Sequence, residues 1–348
     1  MAEQKRSNLL LNLAAVVIVL AGIKLSGPVV VPLLISLFIA MIAAPPVFWL
    51  ENRRVPAVIA VLGVVGVIVS FATLIGMVVA GSIDDFLAAL PGYQARFRGE
   101  LAGVVPVAQT LGIPVDLKTL QELIDPGAAM GLVSNLLSGL GGVLTNSFLI
   151  LLLVIFILLE ASSLPTKVRS ALKAPEATLN RFAELAFKMN TYLAIKTWVS
   201  LGTGVSAATL CYLTGVDFPL VLGLLAFLLN YIPNIGSILA AIPAVVLAFL
   251  ELGTGTALGI GVGYFVINTV FGNIIEPRFQ GRGVGLSTFV VFFSLVFWGW
   301  LLGSVGMLLS IPLTMSLKIA LDAYDETRWL ARLLGPENEQ AQLASAKD

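Results

Sequence analysis

The chain is built from uninterrupted apolar runs, each long enough to cross a lipid bilayer. A hydrocarbon core about 30 Å thick takes about 20 apolar residues in a helix. Runs of that order lie at about 9–27, 28–50, 56–82, 142–160, 191–213 and 256–275. Barrel strands would alternate apolar and polar positions, and these runs do not, so they read as helices. Hydrophobic residues make up 58% of the chain and charged residues 11%, less than half of the roughly 25% charged residues of a soluble domain. A water-soluble globule could not hide that much apolar surface. The expected fold class is all-α: a polytopic membrane protein in the lipid bilayer, with about six full spans plus two Gly/Pro-broken helical hairpins.

The same composition excludes several kinds of chemistry. Twenty Lys+Arg balance twenty Asp+Glu, and no basic block stands out, so no nucleic acid partner is expected. With no histidine there is no Ser-His-Asp triad, no His-ligated zinc or haem and no imidazole switch. The one cysteine, Cys211, has no intrachain disulfide partner. No serine-lysine, paired-aspartate or HExxH constellation appears at membrane depth, so an enzyme is not expected, and neither a cofactor nor a metal is implied.

Lys5 and Arg6 ahead of Leu9–Ile23 resemble the start of a signal peptide, but KLSGPVVVPLL follows without a small-x-small cleavage site. The segment reads as a retained first span. Orientation follows the basic residues. Lys5, Arg6, Arg53, Arg54 and the 161–190 segment, with Lys167, Arg169, Lys173, Arg181 and Lys188, belong inside; the net negative 83–141 segment belongs outside. Both termini then fall in the cytoplasm.

The expected organisation is N-terminal spans over 1–82 and an outside helical segment over 83–141, with LKTLQELI (117–124) as one amphipathic piece. A span and an inner interfacial helix occupy 142–190. A transport core follows over 191–320, then a cytoplasmic tail over 321–348. Leu179, Phe182, Leu185, Ala186 and Met189 at helical spacing give the interfacial helix its apolar face.

Two apolar regions of the core are interrupted. In 218–252 the piece before the break, 220–232, would be a helix only about 20 Å long. In 286–320 the break falls at Gly303–Gly306. Broken backbone at membrane depth is tolerated only when buried in protein or lining a wet cavity. Paired short, Gly/Pro-interrupted segments in opposed orientation point to a transporter site near the midplane. These hairpins are expected to re-enter, the first from outside and the second from inside; the alternative is two ordinary kinked crossings.

The polar residues of the core narrow the candidates. Asp217 and Glu251 at outer ends and Lys318 at an inner end are explained by solvation. Lys196 lies five residues into an apolar span, where its stem can snorkel to the interface; its competing role is counter-ion to Glu276 or ligand for an anionic or hydroxyl-rich solute. Glu276, Arg278 and Arg282 cluster in GNIIEPRFQGRGVGLS (272–287), as a gate or as a positive-inside loop. Asn230, Asn234 and Ser237 sit at the first break and Asn273 on the next span, where they either bind a solute or hold helices together. Gly236 and Gly303 mark the two breaks, and Tyr231, Trp298 and Trp300 flank them. Gly255, Gly259 and Gly263 form a packing ridge.

NYIPNIGSILAAIP (230–243), NIIEPRFQGRGVGLS (273–287) and FWGWLLGSVGMLLSIPLT (297–314) resemble motifs of the autoinducer-2 exporter family, also described as PerM-like permeases. The likeness runs along the whole chain, including DPGAAMGLVSNLL (125–137). It implies a bacterial inner-membrane protein that exports a small hydroxylated solute, the quorum-sensing signal autoinducer-2, and assembles as a homo-oligomer, a pentamer. Other members are credited with sodium/proton antiport, which leaves that activity as the alternative, with Glu276 as its carboxylate. On the export reading Asn230, Asn234, Ser237, Asn273 and Lys196 bind the solute. Glu276, Arg278, Arg282, Gly236 and Gly303 form the gate or coupling elements.

Overall fold

A computed structural model describes residues 14–15, 17–110, 147–171, 175–233, 235–280, 285–322 and 325–336. Among them every regular element is helical. The helices are α1 (Gly27–Asn52), α2 (Ala57–Thr110), α3 (Ser147–Ala171), α4 (Pro175–Thr214), α5 (Pro219–Leu229), α6 (Gly236–Leu252) and α7 (Thr254–Asn268). A π-helical turn, Thr269–Ile275, leads from α7 into α8 (Glu276–Gln280); α9 (Thr288–Leu308), α10 (Ser310–Asp322) and α11 (Arg328–Leu334) follow. Four of these stretches, Gly27–Asn52, Ala57–Ser82, Thr254–Phe279 and Thr288–Leu308, are long and apolar enough to cross a membrane. Ser147–Ala161, Pro219–Leu229 and Gly236–Leu252 are shorter apolar helices. The all-α polytopic membrane fold expected from the apolar runs is the one observed.

The chain divides into two compact units. One comprises Met1–Val65, Phe148–Leu193 and Arg282–Asp348; the other comprises Gly66–Ser147 and Ala194–Gly281. The divisions fall inside α2 and α4, which are continuous helices. The interfacial helix expected over 179–193 is thus the first part of the 40-residue α4. Residues 83–110 of the expected outside segment continue α2, and the amphipathic piece 117–124 lies outside the described residues.

In the first unit α1 carries Pro32, Pro45 and Pro46 in its interior. Proline removes a helical N–H, and a spanning helix tolerates that when neighbouring groups compensate. Ser36 is fully buried and donates its hydroxyl to the Pro32 carbonyl (2.7 Å), with the Ile150 carbonyl 3.1 Å away. A tight turn follows α1, with Arg54 at φ 67° and the Arg53 guanidinium 4.0 Å over the Trp49 ring. Tyr192, Leu193, Leu286, Val290, Ile311 and Met315 form this unit's core around the α9–α10 pair.

In that pair the break falls inside α9, where Gly303 takes φ 69° and ψ −150°. This is backbone that only glycine adopts without strain. The arms before and after pack on each other, tied by a hydrogen bond from Trp298 Nε1 to Thr314 Oγ1 (2.9 Å). Near its end, Lys318 Nζ donates to the carbonyl of Gly285, just ahead of α9, at 2.7 Å.

The second unit is organised around the α5–α6 pair. Gly215 (φ 80°) and Phe218 (φ 58°) turn the chain out of α4 into α5. Residues 230–235 separate α5 from α6, and the two helices pack together. Alanines and leucines dominate the core: Ala207, Leu222, Ala226, Ala240, Ala244 and Leu247 are each at most 2% exposed. Small side chains let helix axes approach where no hydrophobic drive from water exists. Gly204 and Gly223 show this, since a Cβ on Gly204 would lie 2.7 Å from the Gly223 carbonyl oxygen.

Candidate functional site

The polar groups of the second unit converge on one face of α4. Lys196, Thr197, Ser200 and Thr203 follow a spacing that stacks side chains along one side of a helix. Lys196 is 6% exposed, Ser200 0% and Thr203 5%. Buried polar atoms at such depth need partners. Thr203 donates back to the Val199 carbonyl (3.0 Å). The others reach across to different helices.

Close packing of α5 on α4 through Gly204 and Gly223 delivers the end of α5 to that face. Asn230 Nδ2 donates to Ser200 Oγ at 2.9 Å, and Tyr231 Oη donates to Thr197 Oγ1 at 2.8 Å. The Tyr231 ring meets Phe227 edge-on at 5.7 Å, which fixes the direction of its hydroxyl. Gly236 closes the break. A Cβ there would overlap the Leu229 carbonyl oxygen, so glycine is required by the approach of backbone to backbone.

The ionic part of the site comes from the helix after the pair. Lys196 Nζ lies 2.9 Å from Glu276 Oε2 and 3.1 Å from Oε1, with side chains 7% and 17% exposed. Lysine does not snorkel away here; it serves as counter-ion, as burial of both groups requires. Glu276 stands where the π-helical turn ends, and its N–H donates to the carbonyl of Phe271, five residues back. Pro277 follows at once. Phe271 in turn packs on Gly202 of α4, where any Cβ would overlap its ring.

The structure therefore brings together Lys196, Asn230 and Glu276 along α4, with Gly236 buried at the break. Ser237 is half-buried in the first turn of α6, while Asn273 and Arg278 are exposed. Asn234 and Arg282 lie outside the described residues. Gly303 is the backbone break of the other unit. Three partners were not singled out from sequence: Thr197, Ser200 and the hydroxyl of Tyr231. The signal was present as polar residues at i, i+1 and i+4 in the apolar 191–213 run, but threonine and serine are common enough in membrane helices to pass as back-bonded.

A second polar cluster ties the mouth of the α5–α6 pair. Tyr93 Oη donates to Asp217 Oδ2 (2.9 Å), and the Asp217 N–H donates to Glu251 Oε2 (2.8 Å). Asp217 is exposed, as solvation predicts, but solvation does not describe Glu251, whose Oε1 is buried without a hydrogen-bond partner. Burial, and then the Asp217 carboxylate that it bonds, push the Tyr93 phenol up. Burial likewise pushes the Glu251 carboxyl above its ordinary range, partly offset by the Asp217 N–H.

Comparison with known proteins gives this arrangement a context. Residues 13–326 match the model of the AI-2E family transporter. The chain is 42% identical over 332 residues to the "AI-2 transport protein TqsA" of Escherichia coli (strain K12), covering 95% of this chain and 96% of that one. It is 43% identical over 333 residues to a "Putative transport protein" of Haemophilus influenzae, with 94% and 95% covered. It is also 36% identical over 336 residues to the "Putative transport protein YhhT" of Escherichia coli (strain K12), with 97% and 96% covered.

Proposed function

This chain belongs to the AI-2E transporter family, and on that premise we propose that it exports autoinducer-2 or a similar small hydroxylated solute across a bacterial inner membrane. That it is a multi-pass membrane transporter follows from the family and the apolar helices. The observation that carries the finer reading is the buried polar face of α4, where an amide, three hydroxyls and one ion pair meet at the break between α5 and α6.

A hydroxylated solute needs donors and acceptors that are satisfied when it is absent and can be exchanged when it arrives. Asn230–Ser200 and Tyr231–Thr197 meet that need, because a solute hydroxyl can take the place of either partner bond for bond. Ser237, Asn234 and Asn273 extend the same chemistry. The Lys196–Glu276 pair acts as the gate, with Arg278 and Arg282 downstream of it. Lacking a partner, either charge would be stranded in an apolar setting, so the pair opens only when something else compensates both groups.

The tethers that bind Asp217 to Glu251 and Gly285 to Lys318 support a re-entrant course for both helix pairs, since each draws the end of a pair to its beginning. Basic residues in the short connections support cytoplasmic termini.

Proteoliposomes loaded with autoinducer-2 test the proposal. Efflux should be faster than from protein-free vesicles and should be abolished by Lys196→Met. Equal efflux with and without protein would overturn it. A pH-dependent sodium flux that vanishes in Glu276→Gln, without signal efflux, would establish the antiport reading in its place.

A further inference from the structure

The π-helical turn has a cause and an effect that can be read from adjoining residues. Proline at 277 has no N–H, and its ring would collide with the carbonyl four residues back, that of Asn273, in a regular α-helix. Widening the preceding turn moves that carbonyl away. The bond from the Glu276 N–H to Phe271, five residues back rather than four, is the widened turn itself. One extra residue in a turn rotates everything after it by about 100° relative to a continuous α-helix.

Both α7 and the first residues of the turn are fixed by packing: a Cβ on Gly263 would strike the Leu210 side chain of α4, and Phe271 sits on Gly202. Glu276 therefore faces Lys196 only because the extra residue has been accommodated. With a regular α-helix through 269–275, the same anchor points would turn the carboxylate about 100° off the lysine.

We propose that Pro277 is a positioning residue that holds the π-helical turn open, and that this turn sets the register which aims Glu276 at Lys196. The proposal rests on the reading of that pair as the transporter's gate. It gives the gate a mechanical basis: reverting the turn to α-helix withdraws the carboxylate by rotation, without moving α4.

The test uses the full chain in proteoliposomes with two readouts: acylation of Lys196 by an amine-reactive reagent, followed by mass spectrometry, and efflux of autoinducer-2. Wild-type Lys196 should be protected and Glu276→Gln should expose it. Pro277→Ala should raise labelling to the Glu276→Gln level. It should also cut efflux at least about tenfold, within the hundredfold that an ångström of misplacement can cost a positioned group. Removing the exposed Ile274 from the Pro277→Ala chain takes out the extra residue beyond the Phe271 anchor, so it should restore both protection and efflux. An alanine inserted between Ile275 and Glu276 with Pro277 retained turns the carboxylate by another route and should match Pro277→Ala.

Unchanged protection in both Pro277→Ala and the insertion variant overturns the proposal. So does loss of protection in Pro277→Ala that deleting Ile274 fails to repair, the outcome of general helix damage. If protection follows the expected pattern while wild-type vesicles release no autoinducer-2, the register device stands and the export reading falls.

Discussion

The α5–α6 and α9–α10 pairs solve one problem in two ways. Each interrupts an apolar stretch, and each seals its interruption with a glycine pressed against a carbonyl of the preceding arm, Gly236 on Leu229 and Gly306 on Trp298. Each also ties a charged side chain of its second arm to the backbone ahead of the first, an acid to an N–H in one case and a lysine to a carbonyl in the other. The difference lies in where the polar side chains go. The α9–α10 pair satisfies Trp298 internally, on Thr314. The α5–α6 pair turns Asn230 and Tyr231 outward onto α4, beside an ion pair. Similar frames thus carry different contents: the α9–α10 break is closed on itself, and the α5–α6 break is open to exchange.

The largest effect should come from the Lys196–Glu276 ion pair of the second unit. Lys196→Met breaks a buried ion pair and should lower stability by about 3–5 kcal/mol, read by chemical unfolding in detergent. Adding Glu276→Leu should recover most of that stability but no efflux. Next, Gly236→Val and Gly306→Val should each cost about 3 kcal/mol, at the upper end of overpacking effects, because the obstacle is backbone. Equal losses would confirm the shared frame, and one mild result would dissolve it.

Gly303→Ala should cost about 1–3 kcal/mol through backbone strain alone, since nothing lies within 4 Å of its missing Cβ. Smaller still, Asn230→Ala and Trp298→Phe each remove one interhelical hydrogen bond, at roughly 0.6 kcal/mol in membrane interiors. Their stabilities should match, whereas transport should fall only in Asn230→Ala. If Trp298→Phe impairs efflux as much, the contrast between the pairs fails.

The acid tether gives the smallest effect, and its sign is opposite to that of an ordinary surface carboxylate. Burial raises Glu251 above its ordinary 4.5 in the folded state, so folding favours the protonated form. That contribution is complete below pH 4.5 and is lost as pH climbs through the raised value. Glu251→Gln should flatten this slope, and an unfolding series across acid to neutral pH measures it.

Much of the frame was legible because breaks in apolar runs are written locally. Gly236 and Pro233 announce one interruption and Gly303 the other, and each acts within its own turn. The site was legible only in its residue types. Lys196 and Glu276 are 80 positions apart, and nothing local says that they meet; packing through Gly202 and Phe271 is what brings α4 and the π-helical turn together. The buried surroundings of Glu251 are equally invisible locally, because Tyr93, the donor to its neighbour Asp217, comes from α2, more than a hundred residues earlier. Asn273 was grouped with Asn230 by type, yet it is exposed, since facing depends on a helical register that the extra residue alters.

The pairing of Lys196 with Glu276 also bears on bioenergetics. A charge carried through the membrane field does work of about 2.3 kcal/mol per 100 mV, but a carboxylate that turns about its own helix axis while Lys196 stays on α4 advances little along that field. A cycle that swings this carboxylate and carries an uncharged cargo is close to electrically silent, so its rate should be indifferent to a potassium diffusion potential of either sign.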